Sequence, residues 1–386
     1  MSAHVPRFKA RVLTVFLLIG LPLLVVGVGI ALAIGQSRLS ASYGQHLQQV
    51  AQQTAAAVDT YIYRRILDVA LLGRVPDLRR EAQAGSMRPL NMDAVRAMDD
   101  EWREKSETAA AAAILTNPAS KYLGDIVSHD RIYKEILLTD RYGRLVAASS
   151  RTSDFYQGEE DWWKAAVEDG GRGRVTMSDV RWDESARVHA IEISVPVPEP
   201  AGEGLAGVLK VVADSREMLA TVGGVELGTT GEAVLLRDNG SIVFSRRQTD
   251  PSARFFAAET LRERVTMMRQ GGPEGAGAHF RASAPPDNEP WLVGIASSQL
   301  GRSYANVAWV VAVSQSEAEL LAPVRALWWY LLAALAVISL LVLALALYFS
   351  MRLAAPQVEE DLHLVEHPAV SHVGDADTEQ PAVRSR

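Results

Sequence analysis

The chain has no cysteine among its 386 residues. That absence excludes disulfides, iron–sulfur clusters, thiolate zinc sites and cysteine nucleophiles together. A basic surplus is missing too: 39 Lys and Arg face 46 Asp and Glu, a formal net charge of −7. With no basic stripe to displace counterions, nucleic acid is not an expected partner. Neither a GxxxxGK[ST] phosphate loop nor a GxSxG nucleophile elbow occurs. No nucleophile–base pair or metal constellation stands out in the central part of the chain, so neither catalysis nor a cofactor is expected.

What the chain does have is two long uncharged runs. Residues 12–34 and 327–349 each hold 23 residues without a charge, roughly 35 Å as helix, enough for a bilayer core of about 30 Å. Trp328, Trp329 and Tyr330 at one end of the second run, with Tyr348 and Phe349 at the other, fit interfacial belts. Arg7, Lys9 and Arg11 precede the first run and only Arg38 closely follows it. The positive-inside bias therefore predicts a two-pass protein of the cell (inner) membrane with both termini cytoplasmic and residues 35–326 outside. Ala31-Leu32-Ala33 resembles a signal-peptidase site, but the run is longer than a signal h-region.

After the first run, Leu39, Tyr43, Leu47, Val50, Thr54, Val58, Tyr61, Leu67 and Leu71 recur mostly at spacings of three and four. This is a helix, stopped at Pro76, whose apolar stripe reads either as packing on its own domain or as a dimer seam. A second helical stretch is predicted over Asp93–Leu115, opening near Asn91 and ending at Asn117-Pro118. Residues 35–116 thus form a helical stalk.

A repeat follows. EILLTDRYGRLVAAS (135–149) and AVLLRDNGSIVFS (233–245) share one grammar of strand, Asp-to-Gly turn and strand. Asp140 and Asp238 are 98 residues apart, Gly143 and Gly240 97. VLKVVADSREML (208–219) parallels AWVVAVSQSEAEL (308–320), and HAIEISVPV (189–197) parallels WLVGIASSQ (291–299). Each unit reads as hairpin, variable middle, strand, strand, helix. Its natural fold is an antiparallel sheet with helices on one face, an α+β arrangement. The units occupy 117–222 and 223–326.

The basic segment 1–11, a span, a long helix, two such units and a second span resemble the double Cache (dCache) sensor family. Phe155–Val197, with its WWKAA, SDVRWDES and ISVPV segments, carries the resemblance most specifically. It implies two tandem PAS-like modules, the membrane-distal one holding a small ligand.

Candidate ligand-binding residues are Phe155, Tyr156, Glu160, Trp162, Trp163, Asp179 and Asp183. Adjacent tryptophans on a helix point about 100° apart and suit a pocket wall. In amino-acid-binding members of the family an Arg two positions before the first aromatic grips the ligand carboxylate. That position here is Glu160, which speaks against amino-acid recognition by that scheme. Asp183 falls close to the family aspartate that holds the ligand amine, with Asp179 the alternative. Together with Glu159 and Asp161 these acids favour a cationic or amine-bearing ligand, Trp162 adding a cation–π contact. Calcium is a weaker reading, because DVRWDE lacks a calcium-loop spacing.

His363-Leu-Val-Glu366-His367 matches an inverted zinc-peptidase pattern, but 350–386 is too short for a protease domain. Met351–Pro356 resembles the start of a HAMP linker, and no kinase, cyclase or methyl-accepting module follows. The expectation is a homodimeric sensor in the lipid bilayer that signals through a separate partner protein. The competing reading is a scaffolding protein whose Cache-like units mediate protein contacts.

Overall fold

The computed structural model describes residues 19–353, apart from 106–107, 169–171, 185–186, 203, 251, 271–277 and 305. The basic N-terminus with the first part of span one, the glycine-rich stretch Gly271–Gly277 and the tail carrying His363, Glu366 and His367 lie outside the described residues. The chain forms two units: residues 32–326, and the terminal segments 1–31 and 327–386. Two helices, over Pro22–Leu72 and Ala322–Leu345, are long and apolar enough to cross a membrane. Leu23, Val26, Leu340 and Leu341 on these helices are exposed, an arrangement that lipid favours and water does not.

In the larger unit, residues 32–72 of helix α1 (Leu21–Leu72) provide the spine. Leu47, Ala51, Val58, Ile62, Ile66 and Val69 are buried in one cluster that includes residues of both sheets. The predicted stripe therefore packs on its own chain from Tyr43 through Tyr61, whereas Leu67 and Leu71 are each 58% exposed. Proline at 76 does end α1, but it also opens a helix that the sequence reading lacks, α2 (Pro76–Met87). Proline is tolerated in a first turn, where the missing N–H has no intrahelical acceptor.

The single helix expected over 93–115 is two helices. Asn91 caps α3 (Met92–Glu104), accepting from the N–H groups of Asp93 at 3.0 Å and Ala94 at 3.2 Å. Thr108 caps α4 (Ala109–Leu115), accepting from Ala111 N–H at 3.0 Å. Asn117-Pro118 proves to be a beginning as well as an end. Asn117 accepts from Ser120 N–H at 2.7 Å and caps α5 (Pro118–His129).

Two six-stranded antiparallel sheets follow, as the repeat predicts. The first holds β1 (Tyr133–Asp140), β2 (Leu145–Ala148), β3 (Thr176–Met177), β4 (Arg181–Asp183), β5 (Val188–Pro198) and β6 (Leu205–Asp214). Its order is β2-β1-β6-β5-β3, with β4 also on β5. Helix α6 (Asp161–Val167) lies between β2 and β3 in the chain, and α7 (Arg216–Gly223) follows β6. The second sheet holds β7 (Glu226–Leu227), β8 (Gly231–Arg237), β9 (Ile242–Ser245), β10 (His279–Ala284), β11 (Glu289–Ser297) and β12 (Trp309–Ser316). Its order is β10-β11-β12-β8-β7, with β9 on β8. Helix α8 (Ala258–Arg269) fills its variable middle, and α9 (Glu317–Leu320) leads to α10 (Ala322–Leu353).

Both hairpins turn at a glycine with positive φ, +87° at Gly143 and +83° at Gly240, a conformation that penalises any Cβ. The architecture is the expected α+β one: two similar sheets on one long helix.

Candidate functional site

A strand exposes alternate side chains to opposite faces of its sheet. In the first module Ile136, Leu138, Ile193, Val195, Leu209 and Val211 point into the core with α1. Their neighbours in register form the other face. Glu135 pairs with Val212, Leu137 with Lys210 and Thr139 with Val208, while Glu192 pairs with Val212 and Ser194 with Lys210. This face is thus unusually polar for the middle of a sheet.

The second module supplies the control. Leu235 pairs with Val311 as Leu138 pairs with Leu209, and all four belong to the core with α1. Stepping one residue on, the positions of Thr139, Lys210, Ser194 and Glu192 are held by Leu236, Ala312, Ile295 and Val293. These four sit in a dry cluster with Leu261 and Val265 of α8. At these four positions one copy is hydrocarbon and the other polar, while Glu232 matches Glu135 and Ser314 stands where the first module has Val212.

Over the polar face lies α6, packed on β3, β5 and β6. Trp162 and Trp163 are both half-buried there. The Trp163 indole donates to Thr139 Oγ1 at 3.1 Å. Lys210 Nζ lies 5.0 Å from the centre of the Trp162 ring, a cation–π distance. The same ammonium meets Glu192 Oε1 at 2.7 Å.

Acids outnumber the base. Burial pushes the Glu135 carboxyl up, Lys210 opposes the shift, and Asp183, Glu192 and Asp154 add to it. Glu160 behaves likewise: burial raises it first, then Asp154, against Lys210, with Glu159 and Glu192 adding repulsion. Glu160 precedes α6 but makes no side-chain cap bond. The field is therefore that of several carboxylates around one ammonium, in a half-desolvated space.

Of the residues named from sequence, Glu160, Trp162 and Trp163 come together at this face, and Asp183, at the end of β4, adds to the field on Glu135. Phe155 and Tyr156 adjoin them: Phe155 shares a buried cluster with Leu137 of this face, and Tyr156 and Trp162 both pack against that cluster. Phe155 is buried against Trp102, with ring centres 6.1 Å apart, and the N–H groups of Phe155 and Tyr156 both donate to Asp99, at 2.8 and 2.9 Å. Asp179 lies apart, its oxygens engaged by Arg237 and Trp309 of the second module.

Glu135, Thr139, Glu192 and Lys210 were not singled out from sequence. The signal was there: each interrupts an apolar strand at a position whose counterpart in the other repeat, Glu232 excepted, is apolar. A separate pocket of about 400 Å³ opens between α3, α4 and the β1–β2 hairpin. Two of its charged wall groups pair with each other, Arg144 Nε donating to Asp140 Oδ2 at 2.6 Å, and Arg144 also donates to the carbonyls of Gly85, Arg88 and Pro89. That arrangement holds the hairpin turn. Among the described residues no group of His, Asp and Glu has the makings of a metal site.

A long helix carrying two PAS-like modules, one with a polar sheet face under an aromatic helix, and flanked in the chain by two apolar helices, is the architecture of a membrane-anchored sensor domain. The chain belongs to the double Cache family of sensor domains: the Cache domain model matches residues 36–324. No curated protein matches the sequence.

Similar solved structures include ligand-binding domains of chemoreceptors and the extracellular domain of a putative histidine kinase. That of the Pseudomonas aeruginosa PAO1 amino acid chemoreceptor PctB, in complex with L-Arg, has 14% identity, covers 74% of this chain and 91% of its own, and gives a TM-score of 0.43. That of Campylobacter jejuni Tlp3 with L-valine has 13% identity, coverages of 74% and 97%, and a TM-score of 0.45. That of Pseudomonas fluorescens CtaA with L-alanine has 14% identity, coverages of 71% and 97%, and a TM-score of 0.41. The family and fold are those of sensory ligand-binding domains, not enzymes.

Proposed function

We propose that the distal module binds a small amine-bearing molecule between its polar sheet face and α6, and that binding is transmitted through α10 to a separate signalling protein. The observation that carries this reading is the difference between the two copies: polar Thr139, Glu192, Ser194 and Lys210 against apolar Leu236, Val293, Ile295 and Ala312. Half-buried charge is costly to fold around. It makes sense where a ligand completes the pairing. A ligand ammonium would take the surplus of Glu135 and Glu160, and the Trp162 and Trp163 rings would enclose its apolar part. Lys210 already neutralises Glu192, so a carboxylate on the same ligand would compete with Glu192 for it.

Transmission follows from connectivity. Strand β12 runs through α9 into α10, so a shift of the second sheet is carried to the apolar helix. The ligand must prefer one of two arrangements for any shift to result. A homodimer fits the exposed row Tyr63, Leu67 and Leu71, at spacing four on α1, which the chain's own core leaves uncovered.

The experiment is a thermal-shift series on the full chain in lipid nanodiscs with putrescine, lysine, glycine and succinate. Amine-bearing probes at about one hundred times Kd stabilise by about 2.7 kcal/mol, and Glu135→Gln abolishes the shift. Stabilisation by succinate alone, or by none of the probes, overturns the amine reading.

A further inference from the structure

Asp179 lies in the loop between β3 and β4, its side chain only 14% exposed. One carboxylate oxygen accepts the Trp309 indole N–H at 2.8 Å and the Val180 N–H at 2.8 Å. The other accepts Arg237 Nε–H at 2.5 Å. Arg237 and Trp309 face each other in register where β8 ends and β12 begins. One carboxylate of the distal module thus grips both central strands of the proximal sheet at a single rung.

Its neighbour in the chain faces the other way. Ser178 N–H donates to the Glu192 carbonyl at 2.9 Å, and Glu192 N–H donates to Ser178 Oγ at 2.9 Å. Glu192 is the residue whose side chain holds Lys210 on the polar face. From that face to the proximal sheet there are two hydrogen-bonded steps with one peptide bond between them.

We propose that Ser178-Asp179 is the coupling element between the two modules, with Asp179 as the positioning residue that ties the backbone of Glu192 to β8 and β12. The coupling rests on the distal-face reading only for what moves Glu192; the mechanical link itself requires no ligand. A nearly buried carboxylate with an Arg and an indole as partners is stable when all three engage and costly when one leaves. It therefore switches instead of stretching. Coupling is reciprocal: loosening the proximal end must loosen the amides of Ser178 and Glu192.

The test is hydrogen exchange by mass spectrometry on the full chain in nanodiscs, without ligand, comparing wild type, Arg237→Gln, Arg237→Lys and Asp179→Asn. Arg237→Gln should speed exchange of the Ser178 and Glu192 amides about tenfold while the β1–β2 hairpin stays unchanged, and Arg237→Lys should restore most of the protection. Asp179→Asn, which keeps an acceptor for Trp309, should show the same distal effect should Arg237→Gln fail to fold. Faster exchange confined to 231–237 and 309–316, or rising equally in every peptide, overturns the proposal. Because no ligand is present, this outcome and that of the thermal-shift series are independent.

Discussion

At the scale of the residue, the polar face sets stability against binding. Glu135 and Glu160 both have carboxyls raised above their ordinary 4.5, chiefly by burial. An acid raised on folding contributes stability that is full below its unfolded value and is lost as pH rises through the folded one. Glu135→Gln should therefore melt a few degrees higher than wild type at pH 7, with the gap closing below pH 4.5, while losing the amine-induced shift. Equal melting points at pH 7 would show that Glu135 carries no such penalty.

Glu319 has the opposite sign. It is brought down to about 2 by the Thr230 hydroxyl and by the backbone N–H groups of Thr229 and Thr230, so its contribution is present above its ordinary value and lost as pH falls toward 2. Glu319→Gln should flatten the acid limb of a pH–stability curve between pH 4.5 and 2; an unchanged limb contradicts that assignment.

At the scale of the element, the decisive contact is between α1 and the second sheet. A side chain at Gly294 of β11 would run into the backbone of Leu47 and Gln48, and backbone cannot move aside as a flexible side chain does. Gly294→Val should cost about 3 kcal/mol or more in urea unfolding, and Leu47→Ala about 2–5 kcal/mol. A cost below about 1 kcal/mol for Gly294→Val would mean that α1 is held less closely than the structure shows. The helix caps illustrate what local sequence leaves undecided. Asn91 was legible as a start. Thr108 and Asn117 were not, because Ser, Thr and Asn also serve loops, and only the conformation of the residues that follow makes a cap of them.

At the scale of the whole molecule, the row Tyr63, Leu67 and Leu71 decides assembly. Leu67→Glu and Leu71→Glu together should convert a dimer to a monomer in mass photometry without lowering the melting point by more than a degree or two, since both leucines are 58% exposed. A monomeric wild type removes the homodimer reading. A reporter inserted at the Gly240 turn should be accessible from outside the cell; cytoplasmic access would reverse the predicted topology.

The sequence alone determined the two apolar runs, the tandem repeat and the α+β modules, because these depend on periodicity and order along the chain. It also marked Trp162, Trp163 and Glu160. Lys210, Glu192 and Glu135 became a site only in the fold, where antiparallel register brings β1, β5 and β6 side by side. Asp179 was one acid among several until β8 and β12 placed Arg237 and Trp309 against it. Which acids meet is a matter of strand pairing between segments many residues apart, and no local pattern carries that information.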